Sequence, residues 1–218
     1  GLDFVAITDH NVWAMPTADY RAETLLVLGE EARVPAGHML VLGGEDPTAR
    51  IARRRQAEEA GSPLGPSVPS GSGLRIVAHP EGPSQPWLEW NPVAFDAIEM
   101  WNWDTDLRDD GFADWPKALL LLPVKPVSAM LELVDRPTVT LSRWDGLIAE
   151  GHRIAGICSV DAHSHVPITD RFALPFPAYR HLFRLARQHV ILSDDPTGDA
   201  VSDAELVIEA LRRGRSFC

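Results

Sequence analysis

The sequence has little cysteine: Cys158 and Cys218 are the only two residues of this type among 218. Two thiols cannot build the network of bridges that holds small secreted domains together, so that class of protein is excluded. Cys158 lies within an apolar run. A buried free thiol is the more common state in such a run, and we expect Cys158 to be unpaired. Neither cysteine has the surroundings of a catalytic nucleophile.

Long apolar runs and positive charge are also scarce. No run approaches the roughly 18 apolar residues that a membrane span requires. The longest candidate is broken at Pro116, Lys117, Pro123, Lys125 and Pro126. Lys and Arg total 20 against 31 Asp and Glu, a formal net charge of -11. This balance argues against attraction to nucleic acid or to an anionic membrane.

What the chain does have is an alternation of short apolar runs with amphipathic segments. We expect buried strands at 3–8, 25–28, 39–42, 74–78, 95–98, 154–160 and 190–192. Helices are expected at 48–60, 141–150, 178–188 and 203–213, the last opened by Ser202 and stopped by Gly214. Strands that alternate with helices predict mainly parallel pairing and an α/β fold. We expect one domain, 1–218, with a mobile surface loop rich in Gly, Pro and Ser at 61–73.

Histidines and carboxylates stand next to several of these runs. They are His10, Glu31, His38, His79, Asp161 and His163. Imidazoles and ionised carboxylates drawn from separate strands are the ligands that a catalytic metal needs. The spacing of Asp161 and His163 puts both side chains on the same side of an extended segment. A single strand-end histidine is more often structural, but the convergence of six such residues favours a metal centre.

The residues alone leave two ligand assignments undecided. Alternation along a strand lets only one of Glu30 and Glu31 point inward. Asp9 is either a ligand or, as we prefer for a carboxylate beside a ligating histidine, a group that orients His10 from behind. Asn11 is assigned to the same supporting role.

In order and spacing these segments resemble the motifs of the PHP (polymerase and histidinol phosphatase) superfamily of metal-dependent hydrolases, closest to its single-domain, carbaryl-hydrolase-like branch. The motifs are GLDFVAITDHN, GEE followed by GH, AHP, IEMWN, SVDAH and ALRRGRSF. The resemblance implies a distorted (β/α)7 barrel, a TIM-like α/β fold, that holds two or three divalent ions. Its implied ligands are Glu31, as the bridging carboxylate, with His10, His79, Asp161 and His163. His38 matches a position that is a ligand in some members and a substrate contact in others.

One motif of that superfamily has no counterpart here. The first motif, a His-x-His pair followed by Ser-Asp-Gly, supplies two or three ligands and is absent from the sequence. We expect it, and the first strand of the barrel, to lie upstream of Gly1. The chain would then be a fragment of a longer protein.

The resemblance implies hydrolysis of a small-molecule ester, with Asp161 or His163 assisting proton transfer beside Zn, Mn or Fe. His165, Trp101 and Asn102 are expected to contact the substrate. A phosphate ester competes with a carboxyl or carbamate ester. Without the first motif the chain could instead be an inactive ligand-binding domain.

Two features bear on the ester class. Phosphoesterases recruit arginine for substrate oxygens, and Arg75, Arg143 and Arg153 lie near predicted strands. The tryptophans Trp87, Trp90, Trp101 and Trp103 would instead wall an apolar pocket or pack within the core. The sequence leaves the choice open.

Overall fold

The computed structural model describes residues 1–44, 73–82, 85–109, 115–163, 166–169, 172–174 and 178–218. The expected helix at 48–60, nearly all of the expected loop at 61–73, and His165 lie outside these residues. The described strands are β1 (Phe4–Ile7), β2 (Asp19–Arg21), β3 (Thr24–Val34), β4 (Gly37–Leu42), β5 (Leu74–Val77), β6 (Ala97–Asn102), β7 (Ala155–Ser159), β8 (Val166–Thr169), β9 (Phe172–Leu174), β10 (His189–Val190) and β11 (Ser216–Phe217). The described helices are α1 (Trp103–Asp109), α2 (Trp115–Leu121), α3 (Pro126–Leu131), α4 (Thr138–Ala149), α5 (Tyr179–Leu182) and α6 (Ala200–Arg212).

A mixed sheet of seven strands forms the centre of the fold. Its order is β1-β3-β4-β5-β6-β7, and β2 pairs with β3. The pairs β1 with β3, β5 with β6 and β6 with β7 are parallel. The expected α/β class is confirmed, and each predicted strand falls on an observed one.

Half of the pairings in this sheet are antiparallel, so the expectation of mainly parallel pairing is wrong: β2 is antiparallel to β3, and β4 is antiparallel to both β3 and β5. Only residues 35–36 separate β3 from β4. A parallel crossover needs a dozen or more residues, so this short connection forces a hairpin. β3 also continues past its apolar run through the buried residues Glu30 and Glu31. The hairpin therefore carries carboxylates into the interior, where burial is costly unless they find partners.

Several predicted helix boundaries are wrong. The last helix begins at Ala200, and Asp199, rather than Ser202, caps it by accepting a hydrogen bond from the Ser202 amide at 2.9 Å. The predicted helix at 178–188 is helical only over Tyr179–Leu182. It then continues as turns closed by hydrogen bonds between residues three apart, from Arg184 to His181 and from Leu185 to Leu182.

The helices α1, α2 and α3 were not predicted, and prolines interrupt the part of the sequence that forms α2 and α3. Pro116 and Pro126 fall in the first turns of α2 and α3. A proline there loses no hydrogen bond, since the first amides of a helix have no intrahelical acceptor. No described helix is long and apolar enough to cross a bilayer.

The expectation of a free thiol at Cys158 is wrong. Cys158 in β7 forms a disulfide with Cys218, across a Cα separation of 5.9 Å. β11 packs beside β7 and brings Cys218 to this position, although the two cysteines are 60 residues apart in sequence. The apolar run around Cys158 contains no information on which distant residue packs beside it.

The sheet curls, and a helix covers each of its faces. On one face Val27, Ile76 and Ile157 pack against Val207 and Leu211 of α6. On the other face Met39, Val41 and Ile98 pack with Leu147 of α4. Each fully buried aliphatic side chain of this kind stabilises the fold by about 1.5–3 kcal/mol. The curl leaves a cavity of about 800 Å³ on the α6 side of the sheet.

Candidate metal centre

Glu31 lies at the centre of the first group of candidate ligands. Its Oε1 is 2.5 Å from Nδ1 of His38, and its Oε2 is 3.6 Å from Nδ1 of His10. One ligand atom from each of these three residues lies within 4.8 Å of the other two. Glu31 and His38 belong to the β3–β4 hairpin, and His10 forms an isolated parallel bridge with Glu31. The hairpin and the end of β1 therefore deliver the three side chains together.

His79 joins this group from the end of β5. Its Nε2 is 3.0 Å from Oε1 of Glu31 and 3.1 Å from Nδ1 of His38. Gly82 packs against it, and a Cβ at that position would lie only 2.9 Å from Nδ1 of His79. The Gly82 amide also donates to the His79 carbonyl at 2.8 Å. Glycine at position 82 therefore leaves room for the imidazole ring.

A second group follows β6 and β7. Asp104, Asp161 and His163 each offer a ligand atom within 4.8 Å of the others. Oδ1 of Asp161 is 2.9 Å from Nε2 of His163. The sequence predicted Asp161 and His163 but missed Asp104, which follows β6 in the first turn of α1. The signal that could have found it is the one used elsewhere, a carboxylate just past the end of a strand.

Two buried residues connect the groups. Nδ2 of Asn102 donates to Oε2 of Glu99 at 2.9 Å and to Oδ2 of Asp161 at 3.3 Å. The same Glu99 oxygen accepts the amide of His79 at 2.5 Å. Glu99 thus fixes the backbone of His79, and Asn102 holds Asp161 in place. Sequence reasoning did not assign Glu99 to the site, and Asn102, expected to contact substrate, has its amide nitrogen committed to these two carboxylates.

Asp9 and Asn11, the expected supporting residues, contact the main chain of Glu31. The main-chain carbonyl of Asp9 accepts the Glu31 amide at 3.1 Å, and the Asn11 amide donates to the Glu31 carbonyl at 2.8 Å. Oδ1 of Asn11 accepts the amide of Arg33 at 3.0 Å. Both residues therefore fix the β3 backbone on which Glu31 sits. Glu30 belongs to neither group of candidate ligands, whereas Glu31 lines the cavity.

Backbone strain is concentrated at the site. Asn11, His79 and Asp161 have φ values of 54°, 27° and 43°, in the left-handed region that side chains other than glycine rarely adopt. Each such residue costs on the order of 1–3 kcal/mol, which the surrounding contacts must offset. The hydrogen bonds of Asn11 and of the His79 amide are contacts of this kind.

The charges of the first group are strongly coupled. Burial alone would raise the pKa of Glu31, but hydrogen bonds with His38 and His79 outweigh it and lower that pKa to about 2. Burial would lower the pKa of His79, but its hydrogen bond with Glu31 and the nearby charges of Glu99 and Glu31 raise it to about 9. The carboxylate is therefore ionised and ready to hold a cation.

The second group has its own pattern of charge. The hydrogen bond with Asp161 raises the pKa of His163. Burial and the neighbouring charge of Asp161 raise the pKa of Glu99 to about 7. Glu31 and Glu99, which line the same cavity, thus differ in the pH at which they ionise, as is common at functional sites.

The donor set fits a divalent metal. Nε2 of His38 is buried and has no hydrogen-bond partner among the described residues. The other ring nitrogen, Nδ1, lies 3.1 Å from Nε2 of His79, and both of these nitrogens lie beside Oε1 of the ionised Glu31, a donor set of the kind that a divalent metal binds. Mixed imidazole and carboxylate ligands suit Zn, Mn or Fe. His10, Glu31, His38 and His79 would form one part of such a centre, and Asp104, Asp161 and His163 the other.

The aromatic and arginine candidates lie mostly elsewhere. Nε1 of Trp101 donates to Asp106 at 2.6 Å, and the ring packs beside Trp103. Trp87 and Trp90 pack around Phe95. None of these four tryptophans is among the described residues that line the cavity.

Two of the three candidate arginines have partners away from the cavity. Arg75 makes two 3.0 Å hydrogen bonds to the carboxylate of Asp96. The guanidinium of Arg143 lies 5.2 Å from the ring centre of Trp90. Arg153 is exposed, and among the described residues the only arginine that lines the cavity is Arg187.

Comparisons with known proteins give no relative: no family model, no curated protein and no solved structure matches this chain. The functional conclusion therefore depends on the residues of the site.

Proposed function

We propose that this protein is a metal-dependent hydrolase of the PHP type that cleaves ester bonds, with phosphate esters as its substrates. The observation that carries the proposal is the meeting of two ligand groups across one cavity. His10 of the first group and His163 of the second stack with ring centroids 6.0 Å apart. His10, Glu31, His79, Asp161 and His163, which lie in or just past β1, β3, β5 and β7, line this one cavity, and a centre of two or more ions needs ligands gathered in this way.

The finer fold that goes with this proposal is a TIM-like (β/α)7 barrel that is open on one side. Within the described part of the chain, β1 pairs only with β3, and β7 pairs only with β6. The free edges of β1 and β7 border the same cavity. An opening at this place is what the resemblance implies for the strand that would carry the His-x-His pair. His10, His79, Asp161 and His163 lie past the carboxyl ends of β1, β5 and β7, where barrel enzymes place their chemistry. Glu31 and His38 join them from within the β3–β4 hairpin.

The residues divide into ligands, proton carriers and supports. His10, Glu31, His38, His79, Asp161 and His163 would hold two or three divalent ions, and Asp104 adds a ligand to the second group. When bound, the ions would supply Lewis acidity that activates water and neutralises charge on the substrate oxygens. We assign proton transfer to Asp161 and His163, which are hydrogen-bonded to each other. Glu99 keeps the strained backbone of His79 in position, and Asn102 keeps the carboxylate of Asp161 in position.

Phosphate esters are favoured over carboxyl or carbamate esters by the charge that faces the cavity. Arg187 can pair with the oxygens of a phosphate, which a neutral ester does not need. The tryptophans that would have walled an apolar pocket pack outside it.

Hydrolysis assays test the proposal. Metal-free protein, and protein supplied with Mn²⁺ or Zn²⁺, are assayed in parallel with p-nitrophenyl phosphate and with 1-naphthyl acetate. We expect metal-dependent release of nitrophenol, its loss in Asp161→Asn, and its retention in Asp145→Asn, an exposed carboxylate on α4. Metal-dependent cleavage of the acetate alone would replace the phosphoesterase assignment with a carboxylesterase one. Tight metal binding without cleavage of either ester would support an inactive ligand-binding domain.

A further inference from the structure

Three side chains spaced four residues apart line one wall of the cavity. They are Tyr179, Phe183 and Arg187, which we call the 179–187 strip. A spacing of four places residues on nearly the same side of a helical segment. Tyr179 lies in α5 and Phe183 in the turns that follow it, so this spacing applies to that pair, whereas Arg187 lies just beyond the turns. Nε of Arg187 donates to the Phe183 carbonyl at 3.3 Å, which ties the end of the strip to its middle.

The opposite side of this segment is anchored in the core. Leu182 is fully buried with Trp103 and Met130, and Leu185 packs against the same cluster. Val160 and Ala162, on either side of the candidate ligand Asp161, also pack there. This anchor turns Tyr179, Phe183 and Arg187 toward the cavity and keeps the strip beside the second ligand group.

The two aromatic rings of the strip are arranged for stacking. The centroids of Tyr179 and Phe183 are 6.0 Å apart, with 23° between the ring planes. Tyr179 is 49% exposed, so a large part of its surface is available to another molecule. Aromatic faces of this kind favour offset stacking with a further planar ring.

Arg187 supplies a positive charge in otherwise acidic surroundings. Glu31, Glu99 and Asp161 line the same cavity, and Arg187 is the only Lys or Arg among its described lining residues. A guanidinium binds the oxygens of an anionic group such as a phosphate through two parallel hydrogen bonds. One cation next to two stacked rings suits a ligand that is planar at one end and anionic at the other.

We infer that the 179–187 strip recognises the aromatic group and the phosphate of an aryl phosphate monoester. The inference rests on the proposed function for the reaction, but binding through the strip does not need turnover. Hydrolysis would form a bond between a water oxygen and phosphorus and break the bond between phosphorus and the aryl oxygen. A proton is delivered to that oxygen, which leaves as a phenol, and inorganic phosphate remains.

Binding of two unreactive phosphonates, phenylphosphonate and methylphosphonate, tests the inference. Their dissociation constants are measured calorimetrically in the presence of Mn²⁺ for the wild type, Arg187→Gln, Tyr179→Ala and Arg184→Gln. Arg184 is the matched control, because it is an exposed arginine on the same segment that does not line the cavity. We expect the wild type to bind phenylphosphonate about tenfold more tightly than methylphosphonate, in line with ordinary stacking energies.

The variants separate the two halves of the strip. Arg187→Gln should weaken both phosphonates by about tenfold or more, as expected for loss of a charge-assisted pair. Tyr179→Ala should weaken phenylphosphonate alone, and Arg184→Gln should leave both unchanged. Equal binding of the two phosphonates by the wild type, or equal behaviour of Arg187→Gln and Arg184→Gln, would overturn the inference.

Failure of the inference about the strip and failure of the hydrolase proposal give different results. If the wild type hydrolyses p-nitrophenyl phosphate with metal but Arg187→Gln binds phosphonates normally, the hydrolase proposal stands and the inference about the 179–187 strip is wrong. If phosphonate selectivity follows the strip but no ester is cleaved, recognition stands and the hydrolase proposal fails.

Discussion

The rings of His10 and His163 stack 6.0 Å apart, with 10° between their planes, although they follow the two outermost strands of the sheet order. A flat sheet of six strands about 4.8 Å apart would hold them more than 20 Å from each other. Their proximity therefore measures how far the sheet curls. It also explains how residues 153 positions apart in the chain can contribute to one site, since the curl brings the two outer strands of the sheet together.

Gly82 should be required for metal binding. A Cβ in Gly82→Ala would lie 2.9 Å from Nδ1 of His79 and 3.1 Å from its carbonyl oxygen, so the ring must move. Displacing a ligand in this way typically weakens metal affinity by about 10- to 100-fold. The measurement is a Mn²⁺ or Zn²⁺ titration.

Gly146→Ala is the control for that variant. Gly146 lies in the exposed part of α4, and nothing comes within 4 Å of its added Cβ. It should bind metal normally and gain up to about 1 kcal/mol of stability, because alanine favours a helix over glycine. Unchanged metal affinity in Gly82→Ala would show that His79 is not held as described.

The disulfide should make a large contribution to stability. Cys158 and Cys218 close a loop over a sequence separation of 60 residues. Loop-closure entropy alone predicts a contribution of about 4 kcal/mol. For a chain of this size that corresponds to a fall in Tm of roughly 10 °C on reduction.

Thermal unfolding with and without a dithiol reductant checks this prediction. A double variant, Cys158→Ala with Cys218→Ala, should have the Tm of the reduced wild type, and the reductant should not change that Tm. Identical Tm values for the oxidised and reduced wild type would contradict it.

Metal binding should strengthen as the pH rises from about 6.5 to 9. The pKa of His79 is raised from 6.5 to about 9 in the metal-free protein. A metal binds only the unprotonated imidazole, so below pH 9 the ion must displace a proton. Without metal the effect on stability is opposite: protonated His79 stabilises the fold fully below pH 6.5, and this contribution is lost as the pH rises through 9.

The increase in Tm on adding Mn²⁺ should therefore grow between pH 6.5 and pH 8.5. The measurement is thermal unfolding with and without the ion at both pH values. His152→Gln, which removes a partly exposed histidine that pairs with Glu150, should keep the trend. An increase in Tm that shrinks as the pH rises would contradict the assigned role of His79.

Much of the fold was predictable because its strands are short apolar runs. The run before His10 and the run before Asp161 are clear in the sequence and become β1 and β7. The antiparallel hairpin at Glu31 and His38 was less visible, because β3 continues through polar residues that its site requires. The pairing of Cys158 with Cys218 depends on where β11 meets β7, which no local pattern encodes.

The site was predictable where a polar residue ends an apolar run, as at His79. Asp104 was missed because it lies one residue inside a helix that no sequence pattern had predicted. Glu99 was missed because it lies within a strand and acts through the amides of His79 and Asn102. Such roles arise from hydrogen bonds between distant segments, and they become visible only once the backbone is placed.

The most direct test of the central claim is the metal content of Glu31→Gln. Wild type, Glu31→Gln and Glu30→Gln are loaded with Mn²⁺ or Zn²⁺, exchanged into metal-free buffer and analysed for bound ion, with circular dichroism to confirm folding. Glu30 is the matched control, since it is the buried neighbour on β3 that belongs to neither ligand group. The wild type and Glu30→Gln should retain at least one ion per chain, and Glu31→Gln should lose it while staying folded. Equal metal retention in Glu31→Gln and the wild type would contradict a metal centre built on Glu31.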